Sequence, residues 1–360
     1  MNTAALARAR PKPWRDRTVS PGLFVCGSEA IPRRVRDWLR VMRTASWMRG
    51  AIVVAGVALA ASAVVNHRRA KRAERRNRPV GRFLEVDGLR LHYIDHGRGD
   101  PVVLLHGNGS MIQDFLSSGL VDMAAENFRV IVFDRPGFGY SERPRGTTWT
   151  PQAQADLLHR ALAQIGVSRA RVLGHSWGAA VAVALALKYP DTVSGLILVS
   201  GYYYPSIRFD VVALSSPAVP VIGDLMRYTV SPVAGRLLWP LILRKIFGPA
   251  PVPEKFAQFP VEMALRPSQL RASAAESFLM IPDAFAYAGS YAQLRMPVTI
   301  IAGSEDRLVD TEKQSYRLHR QVRQSSFRRV RGAGHMVHQT ATREIMSAIE
   351  QARETRAPRP

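Results

Sequence analysis

The most constraining feature of the sequence is a pentapeptide, G-H-S-W-G at residues 174–178, with Ser176 at its centre. A short buried strand is predicted before it at 169–173, and a run of Ala, Val and Leu at 179–187 predicts a helix after it. So tight a turn from strand to helix strains the serine backbone and requires glycines on both sides. The Ser176 hydroxyl is then expected to project from the sheet at the positive end of the helix, where developing negative charge is favoured.

Apolar strands alternate with helical patterns along most of the chain. Asp87-Gly88 marks a hairpin within residues 82–93, and further strands are predicted at 101–105, 128–133, 193–199, 296–302 and 327–331. Helices are predicted near 111–126, 151–165 and 311–322, and a final helix ends near residue 352. This alternation predicts the α/β class, with a mostly parallel sheet flanked by helices on both faces.

Residues 202–295 interrupt that alternation. They contain eleven of the 24 prolines, no clean strand pattern, and apolar patches such as 237–243. We therefore predict a helical lid at 202–295, inserted into a core formed by residues 81–201 and 296–354. The lid is expected to fold over the carboxyl ends of the strands, where open α/β sheets bind their ligands.

Four motifs follow predicted strands in a set order. They are H-G-N-G at 106–109, D-R-P-G-F-G-Y-S at 134–141, the pentapeptide at 174–178 and G-A-G-H at 332–335. Together they resemble the α/β-hydrolase family over about residues 81–352, above all its lid-bearing branch of haloperoxidase-like esterases and carbon–carbon bond hydrolases. The resemblance implies an α/β-hydrolase fold and identifies the turn at Ser176 as a nucleophile elbow.

The resemblance also implies a catalytic triad in the order Ser, acid, His, formed by Ser176, Asp306 and His335. A serine hydroxyl is a poor nucleophile at neutral pH, so His335 is expected to take its proton and later to return it to the leaving group. Asp306 would fix the tautomer of the imidazole and stabilise its protonated form. Glu305 is adjacent, and it points elsewhere if Asp306 points inward.

The oxyanion that forms during acyl transfer needs two backbone N–H donors. By resemblance these donors are Trp177 and either Asn108 or Gly109, and the sequence does not choose between the last two. Tyr202 and Tyr203 leave a predicted strand beside the site and are candidate substrate-binding residues. Packing of the lid on the core explains these tyrosines equally well.

The sequence lacks the residues that several other chemistries require. Relatives that open epoxides or remove halide from alkanes place an aspartate at the elbow, where this chain has Ser176. The sequence contains no H-E-x-x-H, paired cysteine cluster or P-loop, so we expect no metal and no cofactor. The single cysteine, Cys26, excludes an intrachain disulfide and favours a reducing location.

The formal net charge of +22 is concentrated near the N-terminus, where residues 1–80 hold 18 Lys and Arg against 4 Asp and Glu. Residues 1–45 are predicted to be a basic, largely disordered tail with one short helix at 33–42. Residues 51–65 carry no charge, and with the flanking Trp47 they predict a transmembrane helix at 46–66. Residues 67–80 then form a basic juxtamembrane linker.

The basic linker predicts contact with anionic membrane lipids. It favours a single-pass membrane protein whose catalytic domain stays on the cytoplasmic side. The alternative is a signal peptide at 42–63 with a cleavage pattern at 61–63, which would export the domain. A core helix is disfavoured by its two basic flanks, and nucleic-acid binding is not expected because no recognition fold or interleaved aromatics accompany the charge.

Three functions remain open. The first is a membrane-anchored serine hydrolase that cleaves an ester, or a related acyl bond, of a small lipophilic substrate. The second uses the same triad to hydrolyse a carbon–carbon bond of a ring-cleavage product or to form a peracid. The third is a catalytically silent, membrane-bound interaction module, against which the intact elbow and triad argue.

Overall fold

The computed structural model describes residues 33–206, 215–219 and 221–354. Its strands are β1 (Arg82–Val86), β2 (Leu89–His96), β3 (Asp100–Leu105), β4 (Phe128–Phe133), β5 (Ala170–His175), β6 (Val193–Val199), β7 (Val298–Gly303) and β8 (Ser325–Val330). Among the described residues they form one sheet in the order β1-β2-β4-β3-β5-β6-β7-β8. The pairs β1–β2 and β2–β4 are antiparallel and the other neighbours are parallel, which confirms the mostly parallel sheet.

The helices of the described residues fall into an N-terminal helix, core helices and lid helices. In chain order they are α1 (Arg33–Arg76), α2 (Ile112–Ser118), α3 (Leu120–Ala125), α4 (Pro151–Gln164), α5 (Trp177–Lys188), α6 (Ile222–Tyr228), α7 (Val230–Phe247), α8 (Val261–Ala264), α9 (Pro267–Tyr287), α10 (Arg317–Gln321), α11 (Val337–Thr340) and α12 (Thr342–Glu354). The helix predicted at 111–126 is two helices, because Gly119 adopts φ 76° and ends α2.

The sheet separates two apolar layers, because successive strand residues point to opposite faces. On β3, Val103 and Leu105 belong to the layer that contains residues of α4 and α5. Val102 and Leu104 belong to the opposite layer, which contains residues of α2, α3 and α12. Burial of a side chain of this size contributes about 1.5–3 kcal/mol, so the double-sided core fixes the sheet and the loops at its carboxyl edge.

The segment predicted as a lid is helical where the structure describes it. Helices α6 to α9 lie between β6 and β7, and no strand occurs in the described part of 202–295. Residues 207–214 and Pro220 of this segment lie outside the described residues. The Phe247–Phe256–Phe259–Met263 cluster packs with Met111 and Met336 of the core, so the lid has an apolar base of its own.

The N-terminal part of the chain agrees with its predicted segments only in part. The described residues divide into two units, one ending at residue 55 and the other beginning at residue 56. The helix predicted at 33–42 is present as part of α1, but α1 continues through 43–45, assigned to the tail, and through 67–76, assigned to the linker. Their Arg and Ala residues are good helix formers, and Pro79 follows shortly after the helix ends. The remainder of the predicted tail, 1–32, lies outside the described residues.

Helix α1 contains a candidate membrane span. Within Trp47–Arg76, an 18-residue window has a mean hydropathy of 2.0, which by length and composition suffices to cross a membrane. None of that window is buried within the protein, and Ile52, Val53 and Val54 are exposed. The apolar window of α1 is therefore not a buried core helix. It is a candidate for a membrane span or for a signal sequence.

Residues near the C-terminal end of α1 are attached to the lid by polar contacts. Asn66 is buried, and its Nδ2 donates to the carbonyl oxygen of Thr229 at 3.0 Å. Arg236 of α7 donates to Asn66 Oδ1 at 2.9 Å. Glu74 forms an ion pair with Arg266 at 3.1 Å. The segment predicted as a linker is thus held against the lid.

Candidate active site

Ser176 occupies the turn between β5 and α5, near the middle of the sheet. Its backbone has φ 53° and ψ −118°, a conformation that strains any residue with a side chain. The N–H of Ser176 donates to the carbonyl oxygen of Val199 on β6 at 2.9 Å. A Cβ on Gly174 would clash with the backbone of Gly178, and one on Gly178 would clash with the carbonyl of Leu105. The two glycines therefore permit the strained turn.

Asp306 and His335 are brought together at the neighbouring strand ends. They follow β7 and β8, and Nδ1 of His335 lies 2.8 Å from Oδ2 of Asp306, with both side chains almost fully buried. The other oxygen, Oδ1, accepts from the N–H groups of Leu308 and Val309 at 2.8 and 2.9 Å. A carboxylate held on Nδ1 keeps the proton there and leaves Nε2 as the basic nitrogen. Glu305 is exposed.

His335 also lies beside the elbow. The ring Nε2 of His175, the residue before Ser176, is 3.1 Å from the carbonyl oxygen of His335. The N–H of His335 donates to the carbonyl oxygen of Ile246 in α7 at 2.9 Å. The backbone of His335 is therefore held between the elbow strand and the lid.

A narrow cavity of about 30 Å³ connects the elbow, the Asp306 loop and the lid. Ser176 lines it together with Trp177 and Ala180 of α5. Leu308 and Val309 contribute from the loop that carries Asp306. The lid contributes residues three or four apart on one face of α9, and a tyrosine beyond it: Met280, Asp283, Ala284, Tyr287 and Tyr291. Except for Asp283, the lid lining is apolar or aromatic.

The predicted oxyanion loop lies against the nucleophile. A Cβ added to Gly107 would be 3.1 Å from Cβ of Ser176, so only glycine allows this approach without a shift. Asn108 is tied to the lid, since its Nδ2 donates to the carbonyl oxygen of Ser273 at 3.1 Å. Gly109 has φ 73°. Trp177 is the first residue of α5, so the donors proposed from sequence belong to segments beside Ser176.

The two candidate tyrosines have different environments. Tyr202 lines the cavity, and its hydroxyl lies 3.1 Å from Oγ of Ser206. Tyr203 does not line it: this residue is 1% exposed and belongs to the core layer on the α5 side. Tyr203 and Tyr204 both belong to this core layer, and Gln314 Oε1 accepts from both of their backbone N–H groups at 2.7 Å, so this part of the segment is fixed against the core. Substrate contact therefore remains a hypothesis for Tyr202 alone.

A buried charge network holds the H-G-N-G loop at 106–109. The sequence identified Arg135 only as part of the 134–141 motif, and it did not identify Gln154 or Glu276 as members. Arg135 donates from Nε to the carbonyl oxygen of His106 at 2.8 Å and from Nη2 to that of Gly107 at 3.0 Å. Glu276 of α9 forms an ion pair with Arg135, and Gln154 donates to Glu276 at 3.0 Å. Burial, followed by the charge of Arg135, lowers the pKa of His106 to about 3. The acid Glu276 within a largely apolar lid helix was visible in the sequence. That its partner is Arg135, 141 residues away, was not.

One cluster of described residues has the atoms of a metal site. Single ligand atoms of Asp114, His175 and His338, all buried, lie within 4.8 Å of one another. Two of them are joined by a hydrogen bond, since His338 Nε2 is 3.0 Å from Asp114 Oδ1. Burial opposes ionisation of Asp114, but the paired His338 lowers its pKa below the ordinary value. Burial, followed by the charges of His338 and His335, lowers the pKa of His175. A hydrogen-bonded Asp114–His338 pair therefore lies within the cluster.

The family comparison covers most of the folded region. The model of the alpha/beta hydrolase fold matches residues 100–342. Among curated proteins, the chain is 31% identical over 142 residues to haloalkane dehalogenase 2 of Mycobacterium tuberculosis, covering 38% of this chain and 49% of that protein. It is 33% identical over 129 residues to 2-hydroxymuconate semialdehyde hydrolase of a Pseudomonas strain, covering 35% and 46%. The chain thus spans about half the length of the curated relatives it matches.

Solved structures share the fold at low identity. A thermophilic esterase from Thermogutta terrifontis is similar with a TM-score of 0.61 and 23% identity, over 76% of this chain and 96% of that one. A membrane phospholipase A, described as a bacterial virulence factor, is similar with a TM-score of 0.59 and 21% identity, over 89% of this chain and 99% of that one. At such identities the likeness extends to the fold alone.

Proposed function

We propose that this chain, which belongs to the alpha/beta hydrolase fold family, is a membrane-anchored serine hydrolase. It cleaves an ester, or a related acyl bond, of a small lipophilic substrate. Its relatives in this family include hydrolases. The observation that carries this proposal is the Asp306–His335 hydrogen bond of 2.8 Å at the strand ends beside a strained Ser176. A serine, a base and an orienting acid are the parts that acyl transfer requires.

The proposed reaction has two halves. Oγ of Ser176 attacks the substrate carbonyl carbon while Nε2 of His335 takes the hydroxyl proton, and Asp306 stabilises the resulting imidazolium. The carbonyl oxygen becomes an oxyanion, held by the N–H of Trp177 and that of Asn108 or Gly109. His335 then protonates the alcohol leaving group, which departs and leaves an acyl-enzyme. A water, deprotonated by the same imidazole, releases the acid and regenerates Ser176.

Two features support a lipophilic substrate. The cavity lining is mainly apolar and aromatic, with Met280, Ala284, Leu308 and Val309 among its residues. The lid also exposes large apolar side chains to its surroundings, as at Leu237, which is 75% exposed. Such patches on a monomeric surface commonly mark contact with lipid or ligand.

Membrane anchoring forms the second part of the proposal. The apolar stretch of α1 is the proposed single span, with the catalytic domain on the cytoplasmic side. Exposed arginines that follow the span are proposed to contact anionic lipid headgroups: Arg68, Arg72, Arg75 and Arg76. Each such charge near an anionic surface contributes about 1 kcal/mol.

Carbon–carbon bond hydrolysis is the second candidate function. It is favoured by the similarity to 2-hydroxymuconate semialdehyde hydrolase, and it would use the same three side chains. Dehalogenation is disfavoured despite the similarity to haloalkane dehalogenase 2, because Ser176 stands where that reaction needs a carboxylate nucleophile.

A substrate screen in detergent tests the proposal. We expect the full-length chain to hydrolyse p-nitrophenyl octanoate faster than p-nitrophenyl acetate, because a longer acyl chain buries more apolar surface in the cavity. The Ser176→Ala variant should lose this activity. Equal rates on acetate and octanoate would contradict a lipophilic site. Hydrolysis of a vinylogous diketone in the absence of esterase activity would instead favour carbon–carbon bond cleavage.

A further inference from the structure

One carboxylate beside the proposed nucleophile has an oxygen without a hydrogen-bond partner. Asp283, on the lid helix α9, lines the cavity that contains Ser176. Its Oδ2 is buried and accepts no hydrogen bond from any described residue. Buried polar atoms without a partner are rare in folded proteins, and each needs a physical explanation.

A second carboxylate on α9 shows what a structural acid in this lid looks like. Glu276, seven residues earlier, is also buried, but Arg135 and Gln154 satisfy both of its oxygens. Residues seven apart lie on the same face of a helix, so the two acids face the same side of the protein. Asp283 therefore differs from Glu276, because its Oδ2 has no cation or amide partner.

Two tyrosine hydroxyl groups of the cavity lining are engaged elsewhere. Tyr287 donates to Gln152 Oε1 at 3.0 Å, and Tyr291 donates to the carbonyl oxygen of Tyr203 at 2.6 Å. Burial, followed by the charge of Glu276, raises the pKa of Asp283 to about 7. These tyrosines therefore do not donate a hydrogen bond to Asp283 Oδ2.

A donor without a partner lines the same cavity. The indole Nε1–H of Trp177 is buried, and no described residue accepts its hydrogen bond. Two residues of the cavity lining thus each carry a buried polar atom without a partner, an acceptor in Asp283 and a donor in Trp177. A hydroxyl group is the smallest neutral group that both donates and accepts a hydrogen bond.

We propose that Asp283 is a specificity-determining residue that accepts a hydrogen bond from a hydroxyl group carried by the substrate near its scissile ester. This inference rests on the proposed serine-hydrolase function and adds the substrate class: esters that bear a free hydroxyl, on either the alcohol or the acyl side. A site of this kind discriminates strongly against the analogue that lacks the hydroxyl group. When that analogue binds, the buried acceptor of the site stays unpaired.

The test compares esters with one acyl chain length, using the full-length chain in detergent. The hydroxylated substrates are 1-monooctanoylglycerol and ethyl 3-hydroxyoctanoate, which place the hydroxyl on the alcohol and acyl sides, and ethyl octanoate is the reference. In Asp283→Leu, we expect kcat/KM for one hydroxylated ester, relative to ethyl octanoate, to fall by about tenfold or more. In Asp283→Asn, which keeps an acceptor oxygen, the same ratio should stay within about threefold of wild type.

Controls separate this inference from a structural role of the residue. Glu254→Gln, at an exposed acid of the lid, should leave the ratio unchanged, and Tm values identify a variant that fails to fold. An unchanged ratio in Asp283→Leu, or an equal loss on all esters, would overturn the inference. A selective loss on octanoylcholine, which has a cation but no hydroxyl, would also overturn it in favour of a cation site. Ethyl octanoate hydrolysis that depends on Ser176 supports the proposed function whatever the ratio shows.

Discussion

At the scale of single residues, Asp306 has both carboxylate oxygens occupied, one by His335 and the other by two backbone N–H groups. An amide keeps this shape but presents an N–H group that forces the imidazole into the wrong tautomer. We therefore expect Asp306→Asn to lower kcat on p-nitrophenyl octanoate by about 10³- to 10⁴-fold. Glu305→Gln, at the exposed neighbour, is the matched control and should retain wild-type kcat. An Asp306→Asn variant within tenfold of wild type would contradict the role of Asp306.

His106 should make the stability of the fold depend on pH. Burial and Arg135 hold its folded-state pKa at about 3, below the ordinary histidine value of about 6.5. The unfolded chain then binds a proton that the folded chain does not. The stabilisation is therefore fully present above about pH 6.5 and is lost as pH falls toward 3, at about 1.4 kcal/mol per pH unit.

The measurement is Tm at pH 7 and pH 5. We expect the fall in Tm between these values to be smaller in His106→Gln than in wild type. His96→Gln, at an exposed histidine, should behave as wild type. An identical fall in all three proteins would show that His106 is not kept neutral by its surroundings.

The sequence predicted individual site residues only where they belong to a motif. Asp306 and His335 were predicted from motif order and form a hydrogen bond. Tyr203 was a candidate for the site and is buried in the core instead, because its place depends on contacts with residues distant in the chain, such as Gln314, that no local pattern contains. Asp283 carried no motif, since its environment depends on how α9 packs over the elbow.

At the scale of elements, the elbow requires β5, its turn and α5 to approach β3 within backbone contact. Gly178 is where that approach is closest, since a Cβ there meets the carbonyl of Leu105. We expect Gly178→Ala to lower the free energy of unfolding by about 1–3 kcal/mol or more and to lower Tm measurably. Gly146→Ala is the control, because a Cβ there contacts nothing within 4 Å. Equal Tm values for the two variants would contradict the packing argument.

Core strands were predictable because their apolar runs are short, uninterrupted and bounded by turn residues. The strand predicted at 193–199 coincides with β6, and that at 128–133 coincides with β4. The lid helices were not resolved individually from sequence. Their apolar and polar residues do not follow one clear period, and prolines lie inside both α7 and α9, at Pro240 and Pro282. Tertiary packing, rather than local pattern, sets those helices.

At the scale of the whole molecule, anchoring by α1 should make the protein an integral membrane protein. We expect it to stay in the membrane fraction after washing with high salt and alkaline carbonate, and to be released only by detergent. The double variant Val53→Asp and Val57→Asp should weaken retention, because a charge in the bilayer centre costs about 2.5–3.5 kcal/mol. Release of the wild type by salt would contradict a span, and a shortened, exported product would indicate a signal peptide.

Sequence reasoning described the organisation of the whole chain better than the boundaries near its N-terminus. A core with an inserted helical segment was predicted from the broken alternation of strands and helices. A separate linker was predicted from charge alone, whereas residues 67–76 continue the helix. Composition reports charge, but it does not show that the segment contacts the lid, as Glu74 does through its ion pair with Arg266.

The central claim is that Ser176 is an activated nucleophile, and covalent labelling by a fluorophosphonate tests it most directly. We predict that the full-length protein in detergent is labelled at a single peptide containing Ser176, identified by mass spectrometry. Labelling should be lost in Ser176→Ala and much slower in His335→Ala, because the imidazole takes the hydroxyl proton. Folded wild-type protein that does not react with the probe, or that reacts equally well without Ser176, would contradict the account.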